Sequence, residues 1–337
     1  MKKHAIIPIF ISHRGCPNDC VFCNQKKITA RQGDVTEEDI RNTITTYLST
    51  LNDMNMETIE LSFFGGSFTG IPIEEQSRFL AIAYEYKQRG IIDKIHMSTR
   101  PDYIDREILD NLRKYSVDVI ELGVQSFDDA VLEKSNRGHS AAAVYDACRL
   151  IKEYGFTLGI QLMIGLPGDS LESCIYSARE TVKTAPEIAR LYPTIIIEDT
   201  ELLEMYRRGE YTPLTLDEAV AVTKEMYRIL DAAGINIIRV GLKSTDIINS
   251  DGAVTGGTYH PAFRQLVESS IAREEIEKQL TATSGNISVM CNPSDISNAA
   301  GHNGCNRKYF AGKYPGLHIS FKKEESLDRN KYIVIQC

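Results

Sequence analysis

Short apolar, β-branched runs alternate along most of the chain with longer segments whose apolar residues recur at helical spacing. The runs at 5–11, 58–64, 94–98, 117–124, 157–164 and 188–196 predict strands. Between them, 36–51, 73–87, 103–114, 141–154 and 170–184 predict helices, the first opening on Thr36-x-x-Asp39 in the manner of a capping box. Six β/α units in this order predict an α/β fold, a parallel sheet wound into a partial (β/α)6 TIM-like barrel.

Beyond Glu201 the pattern continues with a helix, the turn Gly209-Glu210-Tyr211-Thr212-Pro213-Leu214, a helix at 216–233 and a strand at 236–240. A glycine-rich connection at 251–259 suggests a boundary, so the expected units are 1–245, the barrel, and 246–337, a small C-terminal α+β extension. In the extension the pattern predicts a helix at 261–280, a strand at 286–290 and a short helix near 294–299. The loop Gly301-His302-Asn303-Gly304, a helix to about 312, and strands at 317–321 and 332–335 complete it.

Composition narrows the class. With 42% hydrophobic and 25% charged residues in 337, the chain reads as globular, and no run approaches the roughly 18 apolar residues of a membrane helix. The apolar start at 5–11 is interrupted by Pro8 and lacks a small-residue cleavage site, against a secretion signal. Eight cysteines without a regular framework argue for a reducing cytoplasm. Net charge is −8, but residues 281–337 carry seven Lys and Arg against four Asp and Glu, a local +3 that leaves −11 for the rest. A basic tail on an acidic body is where a polyanion would meet it.

The densest chemistry lies in Arg14-Gly15-Cys16-Pro17-Asn18-Asp19-Cys20-Val21-Phe22-Cys23-Asn24, whose cysteines have C-x3-C-x2-C spacing. Thiolates are soft ligands for iron or zinc, and three of them leave one iron of a four-iron cubane open. A zinc site needs a fourth ligand, and His13 is too close to Cys16 to reach the same ion without strain. A redox pair at Cys20 and Cys23 lacks the strand-to-helix setting of a thioredoxin-like motif. Barrels place their chemistry at the carboxyl ends of strands, and polar or glycine-rich groups gather there: Phe63-Phe64-Gly65-Gly66-Ser67, Ser98-Thr99-Arg100-Pro101, Glu121-Leu122-Gly123-Val124-Gln125-Ser126 and Gly165-Leu166-Pro167-Gly168.

An open iron beside Gly65-Gly66, where a ligand's charged groups can approach the backbone, resembles the radical S-adenosylmethionine (radical SAM) superfamily over residues 5–245. The resemblance implies that Cys16, Cys20 and Cys23 hold a [4Fe-4S] cluster and that SAM chelates the fourth iron. Gly65, Gly66 and Ser67 then match the segment receiving the SAM amino group, and Phe22 the aromatic position before the last cysteine. Similarity to the coproporphyrinogen-dehydrogenase branch implies Ser98, Gln125, Arg137 and Gln161 around the methionine carboxylate and ribose, although that branch has carboxylates where Ser98 and Gln161 stand.

Closer resemblance is to the family of the third Elongator subunit, carried by Glu121-Leu122-Gly123-Val124-Gln125-Ser126, Asn136-Arg137-Gly138-His139, Leu166-Pro167-Gly168 and Tyr259-His260-Pro261-Ala262-Phe263. That family modifies wobble uridines in tRNA. Its acetyltransferase domain would begin about where this chain stops, so acetyl-CoA use is not implied. The implied chemistry is electron transfer from a flavodoxin- or ferredoxin-type donor, reductive cleavage of SAM, and hydrogen abstraction by a 5′-deoxyadenosyl radical, with RNA, a tRNA base, as substrate. The same chemistry on a small molecule or protein side chain is the alternative. So is an iron–sulfur electron-transfer protein that never cleaves SAM, which requires Gly65-Gly66, Gln125 and Arg137 to be incidental.

No side chain stands out as an acid or base; His139 and His260 are candidates in either a catalytic or a structural role. The C-terminal order of strand, helix, Gly301-His302-Asn303-Gly304, helix, strand, strand resembles a KH module, whose G-x-x-G loop clamps nucleic-acid backbone. The same two glycines equally serve as a helix cap and a turn. Arg307, Lys308 and Lys313 follow them. Cys148 and Cys174 fall in helical patterns as buried small hydrophobes, and Cys291, Cys305 and Cys337 match no compact cluster spacing.

Overall fold

The structure is a computed structural model describing residues 4–11, 15–16, 20–24, 35–51, 55–242 and 254–336. Seven parallel strands form its main sheet in the order β1 (His4–Ile11), β2 (Thr58–Gly65), β3 (Lys94–Thr99), β4 (Val119–Gln125), β5 (Thr157–Ile164), β6 (Ile188–Pro193) and β8 (Asn236–Val240). The sheet curls into a half-barrel. Among the described residues no pairing joins β1 to β8, so one side stays open.

Helices α1 (Glu37–Leu51), α2 (Ile73–Gln88), α3 (Arg106–Lys114), α4 (Asp129–Lys134), α5 (Ala141–Glu153), α6 (Leu171–Thr184), α7 (Glu201–Arg207) and α8 (Leu216–Ala232) connect these strands. Their starts are chemically marked. Thr36 and Asp39 form the expected reciprocal box, with Asp39 N donating to Thr36 Oγ1 at 3.1 Å and Thr36 N to Asp39 Oδ2 at 2.9 Å. Ser170 with Ser173 and Thr215 with Glu218 do the same for α6 and α8.

Four local expectations are corrected. The strand expected at 188–196 breaks at Thr194: β6 stays in the barrel, whereas β7 (Ile195–Ile197) pairs antiparallel with β9 (Val254–Gly257). The glycine-rich connection therefore carries a strand; its first residues, 251–253, lie outside the described residues. The helix expected from 103 starts at Arg106 because Asp105 caps it, accepting from Ile108 N at 2.8 Å, and Pro101–Tyr103 is a separate 3-10 turn. Helix α4 was not anticipated.

After α9 (Phe263–Lys278), β10 (Ser284–Cys291) sits between a parallel β11 (Gly316–Lys323) and an antiparallel β12 (Tyr332–Gln336). Helices α10 (Ile296–Ala300) and α11 (Cys305–Lys313) flank the Gly301–Gly304 turn, in the element order expected. Phe263, Val267 and Ile271 of α9 join the barrel's apolar core, while Ala272 and Ile276 pack under the smaller sheet. This one helix thus binds the two layers together through the hydrophobic effect.

Candidate functional site

The cysteine loop leaves the carboxyl end of β1 and is seated by backbone contacts. Gly66 N donates to Ile11 O at 2.6 Å, and Val21 exchanges with two elements: its N–H donates to Ser135 O at 3.1 Å and its carbonyl accepts from Leu202 N at 2.7 Å. Gly15 presses so closely on the Ser67–Gly70 turn that a Cβ there would lie 2.1 Å from Ser67 O. Gly65 has φ 106° and the backbone of Ile11 only 3.0 Å from where its Cβ would stand. Glycine at these two points lets the loop and the β2 turn share one seat.

An open cleft lies at the strand ends, lined by Phe22, Cys23, Gln125 and Gln161 together with Met163, Tyr192, Pro193, Ile195, Ile197 and Leu242. Four sequence candidates therefore meet in one cleft. Gln125 has the left-handed φ of 70°, at an irregularity in the β4–β5 pairing, and its Oε1 is buried with no partner among the described residues. Strain and an orphaned acceptor at one residue are signs of a site made for a ligand.

Cys16 and Cys20 are covered by cations instead. Arg137, 7% exposed, donates from Nη1 to Cys20 Sγ at 3.3 Å and from Nη2 to the carbonyl of Gly123, leaving Nε buried and without a partner among the described residues. Gly123 leaves room for this guanidinium, since a Cβ there would stand 2.9 Å from Arg137 Nη2 and push the arginine aside. Arg100, 2% exposed, forks onto Asp102. Burial pushes the Cys16 thiol up, partly opposed by the Arg137 charge.

Other expected positions stand farther back. Ser67 is fully buried, its hydroxyl sharing a 2.8 Å hydrogen bond with Thr99 Oγ1 and accepting from Arg100 N at 3.2 Å, so only its backbone faces the loop. Ser98 accepts from Gln161 Nε2 at 3.3 Å, and the same amide donates to Glu121. A carboxylate, Glu121 of β4, thus stands beside Gln161 and in register with Ser98.

That carboxylate belongs to a layer of buried charge that sequence reading did not assemble. Glu60, His96, Glu121 and Arg190 come from β2, β3, β4 and β6. His96 Nδ1 lies 2.7 Å from Glu60 Oε1 and its Nε2 lies 3.4 Å from Glu121 Oε2, while Arg190 Nε donates to Glu121 at 2.8 Å. Burial by itself lowers the His96 pKa, but its two carboxylate neighbours outweigh it and raise it to about 9. Burial likewise favours neutral Glu60, yet His96 and Ser62 bring it down to about 2. Arg190 also donates to Tyr192 Oη at 3.3 Å in the cleft wall. The available signal was a charge inside each apolar run.

His139 is buried beside Arg137, which with desolvation lowers its pKa to about 3. It stays neutral and is a poor acid or base at neutral pH. His260 meets His302 of the Gly301–Gly304 turn edge to face, ring centroids 5.3 Å apart, and burial with that neighbour lowers its pKa. Cys148 and Cys174 are buried in α5 and α6, as expected, with burial pushing Cys148 up to about 12.

Among the described residues no three His, Cys, Asp or Glu side chains converge tightly enough for a single metal ion. Three cysteines, two buried guanidinium groups with orphaned nitrogens and an adjoining cleft fit an anionic cluster with a ligand beside it. His13, Pro17, Asn18, Asp19 and Cys337 lie outside the described residues.

Residues 10–180 match the Radical SAM superfamily and residues 186–273 the Radical_SAM C-terminal domain. The chain belongs to the radical SAM superfamily of enzymes. A tRNA uridine(34) acetyltransferase of Methanocaldococcus infernus is 28% identical over 257 residues, 65% of this chain and 48% of the relative. Elongator complex protein 3 of Homo sapiens is 30% identical over 190 residues, 50% of this chain and 35% of that protein. The solved structure of the archaeal M. infernus Elp3 with an N-terminal deletion superposes with a TM-score of 0.65 at 23% identity, covering 81% of this chain and 64% of that one, a likeness of fold. The chain spans about half the length of the curated acetyltransferases it matches, and about a third of the Elongator proteins. No helix among the described residues is long and apolar enough to cross a membrane.

Proposed function

We propose that this enzyme modifies RNA, with a tRNA base as substrate, using a [4Fe-4S] cluster on Cys16, Cys20 and Cys23 and SAM on the fourth iron. The observation that carries the reading is that Cys23 opens with Phe22, Gln125 and Gln161 onto one cleft, while Cys16 and Cys20 are backed by Arg137 and Arg100. Gly65, Gly66 and the backbone of Ser67 would receive the SAM amino group. Gln125 Oε1 and the amide of Gln161, oriented by Glu121 and Ser98, would take its polar groups. Bound there, the cluster and SAM would together supply the radical chemistry that takes hydrogen from substrate.

The chain's own part is to hold, orient and shield. Met163, Pro193, Ile195, Ile197 and Leu242 give the cleft an apolar wall, against which the reacting atoms would be less hydrated. A flavodoxin- or ferredoxin-type protein would deliver the electron, which fits a cytoplasmic enzyme. Residues 1–245 would form the catalytic unit and 246–337 the extension that holds RNA, with α9 joining them.

The relatives' names support tRNA, and so does the position of the G-x-x-G turn. Tyr259 packs with Ile195, Ile197 and Leu242 of the cleft wall, and the next residue, His260, touches His302 of the turn. A strand gripped at Gly301–Gly304 would thus lie near the cleft. The test is anaerobic reconstitution followed by SAM, reductant and unmodified tRNA, reading nucleosides by mass. Loss of a uridine with gain of a heavier nucleoside is expected; turnover only on small molecules or peptides would replace RNA as substrate.

A further inference from the structure

Arg100 is among the most deeply buried large side chains of the molecule, although it carries a full charge. Asp102 occupies Nε and Nη2 at 2.9 and 2.8 Å, but Nη1 is buried without a hydrogen-bond partner among the described residues. A buried donor left open on a buried cation is costly unless something fills it. Two partners would suit it: the sulfurs around Cys16 and Cys20, on which the Arg100 charge bears, and the polar groups of a bound SAM.

The surroundings favour the sulfurs. The Arg100 charge acts on both Cys16 and Cys20, whereas Arg100 does not line the cleft where Phe22, Cys23, Gln125 and Gln161 meet. Its backbone N–H holds Ser67 Oγ, in the turn against which Gly15 is pressed, so the guanidinium is fixed relative to the loop that bears Cys16. Arg137 stands on Cys20 as well and has no carboxylate partner among the described residues.

We propose that Arg100 is a positioning residue for the iron–sulfur cluster, its Nη1 donating to sulfur beside Cys16 and Cys20 and its buried charge raising the cluster's reduction potential. This rests on the cluster-binding reading above. Reduction by the external donor adds one negative charge to an already anionic group, and a fixed cation in a low-dielectric surrounding stabilises that added charge. Asp102 holds the guanidinium in place while cancelling part of its field. The pair sets the potential between those two influences.

The test is an EPR-monitored redox titration of reconstituted protein without SAM, beside iron content and SAM affinity, for wild type, Arg100→Gln, Arg100→Lys and Asp102→Asn. The expected result is a more negative midpoint potential in Arg100→Gln, partial recovery in Arg100→Lys and a less negative potential in Asp102→Asn, with SAM affinity held within about twofold of wild type. If Arg100→Gln fails to load, the upward shift in Asp102→Asn still decides. Unchanged potentials in loaded variants overturn the inference, as does a loss of SAM affinity at constant potential, which would make Arg100 a carboxylate ligand. A wild type that binds no cluster overturns the cluster reading itself.

Discussion

Arg137 donates to the sulfur of Cys20 at 3.3 Å while its other terminal nitrogen rests on the carbonyl of Gly123. One side chain from the Asn136-Arg137-Gly138-His139 turn thereby ties the cysteine loop to the end of β4. Replacing Arg137 by Ala removes both bonds and should cost roughly 3–6 kcal/mol in denaturant unfolding, at about 1.5–3 kcal/mol for each bond to a charged group. Iron content after reconstitution should fall as well. Wild-type stability and full iron in the variant would remove Arg137 from this role.

Gly15 and Gly90 separate conformational strain from collision. Both have left-handed φ, 73° and 66°, but a Cβ at Gly90 meets nothing within 4 Å among the described residues, whereas at Gly15 it strikes Ser67 O. Gly90→Ala should cost only about 1–2 kcal/mol and leave iron binding intact. Gly15→Ala should displace the loop and cut cluster loading several-fold. Equal loading in the two variants would mean that the close approach does not matter.

The buried charges predict a stability profile with two limbs. His96 has a folded pKa raised to about 9 from 6.5, so its contribution is complete below pH 6.5 and is lost as pH rises through about 9. Glu60 is depressed from 4.5 to about 2, so its contribution is complete above pH 4.5 and is lost as pH falls through about 2. Urea midpoints measured across this range should decline on both sides. His96→Leu should flatten the alkaline limb and cost about 3–5 kcal/mol near neutrality, because Glu60 and Glu121 lose a buried partner. An alkaline limb unchanged in His96→Leu would assign it to another group.

The Gly301–Gly304 turn offers a test of RNA contact apart from the radical chemistry. Replacing His302 and Asn303 together by Asp should weaken tRNA binding at least tenfold and reduce its salt dependence, since backbone contacts carry the counterion-release term. SAM cleavage in the absence of RNA should stay as in wild type. Unaltered tRNA affinity would move the contact to another surface.

The periodicity of the sequence was enough to order the barrel: strands at 157–164 and 236–240 match residue for residue, and the Thr36–Asp39 box closes as its spacing predicts. Misreadings came where tertiary pairing overrides local pattern. The apolar stretch through Ile195–Ile197 reads as one strand with 188–193, yet the chain turns at Thr194 so that β7 can pair with β9. Helix α4 has only 6 residues, too few for a helical period to declare itself. The cysteine spacing stood out by itself, whereas Phe22, Gln125 and Gln161 were named through the family resemblance; the structure sets these three beside Cys23 in one cleft. The Glu60–His96–Glu121–Arg190 layer was not legible, because its members are far apart in sequence and share a face only after the strands are set in register.

The measurement that bears most directly on the account is 5′-deoxyadenosine formation by anaerobically reconstituted protein given SAM and a low-potential reductant. Wild type with a full [4Fe-4S] complement should form it, and Cys20→Ala should lose both the cluster and the product. A loaded, reducible cluster in wild type that yields no 5′-deoxyadenosine would contradict the account.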